Sequence, residues 1–406
     1  MKISKLVSVL ILLLALGAAS LYYWEEFHSV EFYPILHTRC LKPTAYDNSL
    51  AGQLVLVPHS PDVYDLSEIF STSNMIYDLK TGQMTPVNEK FMTGNFSSSP
   101  DERKLAYEEI EIENGQEVRY LVIRSYKGIE TRVKMEAGQS LVYWLDNHSV
   151  VLRKRNPENL PEVAILNLDT TEFRNFIPEF PDVIDGKNHY QFWDNTWPVV
   201  GYYSPDRTRV LYPDNSEYTY SAGDSSFVEH FCADLILYNE EHREQLLRIK
   251  QIDKLDEVEW KQDSSGFFVA LNNIPAGKDL NWGSSELRFI DRNGLTRWNM
   301  NLADVKRNFR YSLIGYLSLS PNERYLTFEG GLASFPRSRL FLDTMTGDIF
   351  DYCLENTSPG GVWSPDSKYF ALSSDHVDKV DTLIVDIVNR KVYKIAEGYI
   401  PVGWLK

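Results

Sequence analysis

Short apolar runs alternate with polar turns along almost the whole chain, and the turns share a spelling. Ser99-Pro100-Asp101, Ser204-Pro205-Asp206, Ser320-Pro321-Asn322 and Ser364-Pro365-Asp366 are each followed by a few polar residues and then a compact apolar run. Those runs are Leu105-Ala106-Tyr107, Val210-Leu211-Tyr212, Tyr325-Leu326-Thr327-Phe328 and Tyr369-Phe370-Ala371-Leu372. Runs of this length between Asn, Asp, Gly and Pro turns read as β-strands, not helices. Trp260-Lys261-Gln262-Asp263 before Gly266–Leu271 is the same phrase without proline, and Tyr143–Asn147 before Val150–Leu152 is a shorter version. The turn residues Asp101, Asn147, Asp206, Asp263, Asn322 and Asp366 recur at intervals of 46, 59, 57, 59 and 44 residues. Repeats of that length are the mark of a propeller or solenoid.

Each unit has a second half. Tyr120–Ile123, Ala164–Leu168, Leu235–Tyr238, Leu287–Asp291, Leu340–Asp343 and Leu383–Asp386 are further strands, several running into turns such as Asp291-Arg292-Asn293-Gly294. The chain stops at Gly403-Trp404-Leu405-Lys406, where Trp404 matches Trp363, and Gly52–Val57 reads as the strand that should come next. The expectation is therefore an all-β, seven-bladed β-propeller of four-stranded antiparallel blades after an N-terminal hydrophobic helix. One blade is shared by residues 52–90 and 398–406, and pairing of the terminal strands removes exposed edges.

The turn chemistry needs no catalysis. Proline pre-sets the first corner, Asp or Asn accepts local backbone N–H bonds, and the aromatic before the serine packs between blades. The phrase Trp363-Ser364-Pro365-Asp366 with Tyr369-Phe370-Ala371-Leu372, repeated over residues 52–406, resembles the TolB-like (PD40, WD-like) β-propeller repeat. The resemblance implies the fold. It leaves function open, because such repeats occur in periplasmic scaffold proteins, in the gates of prolyl-oligopeptidase-type enzymes and in some polysaccharide lyases. The glycine common after the Asp is replaced here by Glu102, Arg207, Glu323 and Ser367.

The N-terminus changes the picture of where the propeller works. Lys2 and Lys5 precede an uncharged stretch from Leu6 to Trp24, and Glu25 and Glu26 follow it. The length suits a bilayer span, the charge bias a cytoplasmic N-terminus with an exported body. Gly17-Ala18-Ala19-Ser20 also suits signal cleavage, so residues 1–24 read as a signal anchor or a signal peptide. Residues 25–51 read as a connector. The exported propeller is then membrane-anchored, or secreted or periplasmic if the signal is cleaved. The formal charge of −16 argues against nucleic acid as a partner. Cys40, Cys232 and Cys353 make neither a disulfide framework nor a zinc site; they are expected as small buried hydrophobes, with one bridge of unassigned pairing open to an exported protein.

No catalytic residue, cofactor or metal site is assigned. There is no Gly-x-Ser-x-Gly, no metal-type histidine spacing and no phosphate loop, and the Gly223-Asp224-Ser225 string lies in a polar loop. Glu108 and Glu109 adjoin, so a strand would point them to opposite faces. The remaining signal is loop length. Loops 178–198, 213–232 and 272–285 should emerge on the face opposite the Ser-Pro-Asp turns, joined there by 60–73, and they are rich in aromatics. They carry the tentative binding residues His189, Tyr190, Trp193, Trp197, Tyr218, Tyr220, His230 and Trp282. Either these rings pack the loops onto their own domain, or they form a patch for a protein, peptide or glycan partner. The expected function is a binding scaffold; the alternative is a hydrolase or lyase built from the same loops.

Overall fold

The computed structural model describes residues 35–46, 50–59, 74–86, 92–127, 129–136, 138–155, 161–176, 202–214, 233–239, 241–242, 244–252, 254–273, 284–301, 313–331, 338–355, 357, 360–376 and 379–405. Those residues form seven antiparallel sheets and no helix. No helix among them is long and apolar enough to cross a membrane, and the expected N-terminal helix lies outside the described residues.

Blade 1 takes its inner strand, Tyr399–Leu405, from the C-terminus and its other three, Gln53–Pro58, Met75–Asp78 and Met84–Pro86, from the N-terminal region. Leu54 lies opposite Trp404 and Val55 opposite Gly403, so the closure read from the terminal residues is the one observed. Blades 2 to 7 each run from inner to outer strand in sequence order, starting at Met92, Ser140, Tyr202, Lys254, Leu313 and Val362. Apolar residues of neighbouring sheets interdigitate between blades. Trp363, Phe341 and Phe370, for example, pack with Tyr352 and Leu372 between blades 6 and 7.

Two local devices repeat. At the inner turn the serine hydroxyl donates to the Asp or Asn carboxyl or amide oxygen two residues on, at 2.6–2.8 Å in all four full copies. The same hydroxyl oxygen accepts the N–H that opens the second strand, from Lys104, Arg209, Tyr325 and Tyr369. At the outer turn the last residue of the third strand caps the next amides: Asp78, Asn167, Asn239, Asp291, Asp343 and Asp386 all accept backbone N–H bonds this way. Side-chain oxygens thus replace the missing sheet partners of the turn amides.

Inner-strand tryptophans tie the blades together. Trp144, Trp260, Trp363 and Trp404 donate their indole N–H to the carbonyls of Ser97, Tyr202, Ser318 and Val362 on the preceding blade, at 2.8–3.1 Å. The ring fills the space between blades while its one polar atom finds a backbone acceptor.

Residues 35–46 form a strap along the outside of blades 6 and 7. Leu36–Thr38 adds to blade 6 as a fifth strand, parallel to Ile349–Glu355, and Thr44–Ala45 adds likewise to Lys391–Glu397 of blade 7. Between them Cys40 is disulfide-bonded to Cys353. This corrects the expectation that all three cysteines are plain buried hydrophobes; Cys232 lies outside the described residues. Tyr46 completes the strap, donating to the Leu79 carbonyl and packing on Tyr77 and Tyr393.

Candidate functional site

The inner turns and the outer turns emerge on one face of the propeller, called here the turn face; the opposite one is the loop face. On the turn face the Ser-Pro-Asp units do more than reverse the chain. Glu102, Arg207, Ser264, Glu323 and Ser367, each just after the Asp or Asn, have φ between +54° and +62°. Four of them reach the preceding blade. The Ser264 and Ser367 hydroxyls accept the N–H of Asp206 and Asn322, the Glu323 carboxylate accepts the N–H of Gln262, and Arg207 donates to Asp146 and Ser149. In blade 3, which has the shortened turn, Asn147 takes the N–H of Asp101.

Gln262 then crosses the axis. Its amide N–H donates to the Pro100 carbonyl at 2.9 Å, linking blade 5 to blade 2, and its amide oxygen accepts from Asn147. Lys261 pairs with Glu323 beside it at 3.0 Å, and Lys104 donates to the Asn147 carbonyl. These side-chain bonds join the inner turns of blades 2, 3, 5 and 6 to one another on the turn face.

Two further acidic side chains, Glu102 and Glu259, lie within electrostatic reach of one another. Glu102 interacts with Ser98 and the Trp363 backbone. Its Oε2 is enclosed and without a hydrogen bond in the structure. Burial, outweighing the hydrogen bonds of Ser98 and Trp363 and aided by the nearby charges of Glu259 and Asp101, pushes this carboxyl up to about 8. Glu259, on the inner strand of blade 5, accepts the Leu319 N–H, and burial pushes it up to about 7. Tyr143 stands in the same relation to the Tyr203 backbone, its phenol raised by burial. Inner strands have one edge without a strand partner, facing the axis, and these side chains serve its amides. Two carboxyls near one another in an enclosed site favour the protonated form. They can hold protons at neutral pH, a capacity that no spacing motif in the sequence announced.

Other buried charges belong to the blade walls. Glu329 and Arg339 of blade 6 pair at 2.7 Å with almost no exposure; Thr357 donates to the same Glu329 oxygen, and Arg339 donates to the Gly360 and Tyr316 carbonyls. Glu108 accepts the Leu141 N–H of blade 3, whereas Glu109 pairs with Arg132, so the two adjoining acids do separate as strand geometry requires. Among the described residues no group of three or more His, Cys, Asp or Glu could hold a metal ion.

The expected binding residues His189, Tyr190, Trp193, Trp197, Tyr218, Tyr220, His230 and Trp282 all lie outside the described residues. The strand ends that carry their loops are described. Segment 177–201 joins the outer strand of blade 3 to the inner strand of blade 4. Segment 215–232 joins Asp214 to Ala233 in blade 4, and 274–283 joins Asn273 to Ser284, which are paired in blade 5. All three are thus rooted on the loop face within adjoining blades.

No family model and no curated protein matches the chain. Among solved structures it is similar to TolB from Acinetobacter baumannii, at 13% identity over 82% of this chain and 77% of that one, with a TM-score of 0.41. It is similar to an oligogalacturonate lyase from Vibrio parahaemolyticus, at 11% identity over 85% and 86%, with a TM-score of 0.47. It is also similar to the Pseudomonas aeruginosa periplasmic gluconolactonase PpgL, at 13% identity over 87% and 98%, with a TM-score of 0.48. The chain's own sheet order and repeated inner turn establish the architecture, that of a seven-bladed β-propeller.

Proposed function

We propose that the protein is an exported, membrane-tethered binding scaffold that engages a protein, peptide or glycan through the loop face at blades 3 to 5. The bonds built around Gln262 carry this reading: they commit the inner turns of blades 2, 3, 5 and 6 to one another, which leaves the loops of the opposite face as the variable surface. The long aromatic loops are rooted on that opposite face, on a scaffold whose blades are cross-tied by tryptophans and side-chain clasps. Rigid support under variable loops suits recognition.

The test replaces residues 215–232 by a short Gly/Ser turn between the paired strands ending at Asp214 and beginning at Ala233. Thermal stability should change little, because the strand pairing is retained, and affinity capture from membrane extract should lose its main partner. An unchanged set of captured partners would rule out this loop as the recognition element.

A further inference from the structure

We propose that the turn face of the propeller lies against the lipid headgroups of the membrane in which residues 1–24 are anchored. The inference rests on the reading of those residues as an anchor, and it adds an orientation. Its first support is the direction of the strap. Leu36, His37 and Thr38 run parallel to Ile349, Phe350 and Asp351, and the Ile35 carbonyl accepts the Ile349 N–H. The strand beginning at Ile349 rises from the outer turn 344–348 on the turn face toward the loop face. A parallel partner rises the same way, so the chain preceding Ile35 leaves the propeller at the turn face. The exit point is held in place: His37 bonds Asp348 and stacks on Phe350, Arg39 and Leu41 donate backbone N–H groups to Asp351 and Tyr352, and Cys40 is disulfide-bonded to Cys353.

The second support is reach. Residues 25–34 separate the apolar stretch from the exit point. Fully extended, they span at most about 35 Å. Putting the loop face toward the bilayer would require them first to climb the outer strand of blade 6, Ile349–Glu355. That takes about 23 Å at strand rise. With the turn face toward the bilayer no climb is needed.

The third is the surface chemistry of the turn-face rim. Ile129, Leu295, Met345 and Val388 stand exposed on the outer turns of blades 2, 5, 6 and 7; Phe173 is exposed where the outer strand of blade 3 begins, and Ile35 at the exit point itself. Exposure reaches 75% at Met345 and 65% at Ile129. One such residue is ordinary on any surface. Here the same kind of residue recurs at the turn-face end of five of the seven blades, 2, 3, 5, 6 and 7, among the described residues. Lys127 and Arg390 stand two residues from Ile129 and Val388, giving those tips an apolar side chain beside a cation. That pairing suits the boundary between headgroup phosphates and acyl chains.

The experiment uses the full chain reconstituted in phosphatidylglycerol/phosphatidylethanolamine vesicles, with Cys232→Ser as background. An environment-sensitive fluorophore is placed through Met345→Cys, Val388→Cys or, on the loop face, Ile112→Cys. Spin labels carried by the lipid headgroups should quench the first two at least twofold more than the third. All three parent residues are exposed, so the labels leave the core intact. Equal or reversed quenching in protein that floats with vesicles after a carbonate wash would overturn the orientation while leaving the anchor standing. Protein that fails to float would overturn the anchor reading and the orientation with it.

Discussion

Residues at positive φ after the inner turn exchange backbone comfort for a bond to the next blade. A non-glycine residue in the left-handed region costs roughly 1–2 kcal/mol, and a typical hydrogen bond returns about 1 kcal/mol. Ser367, at +61°, accepts the Asn322 N–H and sits in this near balance. Ser367→Gly, which removes strain and bond together, should leave stability within about 1 kcal/mol of the parent. Ser367→Ala keeps the strain, loses the bond, and should cost about 1–2 kcal/mol more in urea unfolding. Glu102 shows the opposite economy. Its folded-state pKa, about 8, lies above the ordinary 4.5, so the native state binds the extra proton and its contribution to stability is full below about pH 4.5. That contribution is lost as pH rises from there through about 8. Glu259 acts in the same direction up to about pH 7. Glu102→Gln should flatten the decline in melting temperature between pH 5.5 and 8.5 and raise it at the alkaline end. An unchanged decline would mean that the carboxyl is solvated.

Strands and their turns were the legible part of the sequence, because a turn is a local contract among neighbouring residues. Four Ser-Pro-Asp or Ser-Pro-Asn copies and two degraded versions counted six units, Trp404 matched to Trp363 supplied the inner strand of the seventh, and the observed closure pairs Trp404 with Leu54. The strap was not legible. Its two strands, Leu36–Thr38 and Thr44–Ala45, are too short to show period-two alternation and gain their partners over 300 residues away in sequence. The same distance concealed the cysteine pairing. Cys40 and Cys353 are 313 residues apart. Chain-entropy reasoning credits a bridge over so long a loop with as much as ~5 kcal/mol. Replacing both by Ser should lower the melting temperature, and the reduced parent should melt with the variant. A parent insensitive to reduction would show that strand addition alone holds the strap.

At the scale of the whole molecule the two faces are chemically unequal. The turn face is built from residues that bond to each other across blades, and repetition made it readable. The loop face carries what repetition does not determine: the sequence marked its insertions by length and aromatic content, but side chains such as Trp193 or Tyr220 lie outside the described residues. The candidate site was therefore legible as a location and not as a geometry. The buried carboxyls of Glu102 and Glu259 were missed for a related reason. Each is unremarkable in its own strand or turn, and becomes special only when seven blades bring the inner ends together around one axis.

The bridge at Cys40 also decides where a mechanical load would go. A pull on the N-terminal chain enters at Ile35, runs along two paired strands in shear, and passes through the Cys40–Cys353 bond into the outer strand of blade 6. Residues 41–52, which lead to the closing seam between Gln53–Pro58 and Tyr399–Leu405, lie beyond that point and carry no tension while the bond is intact. Oxidation thus shields the one place where the ring was zipped shut, and reduction would let force travel on to it.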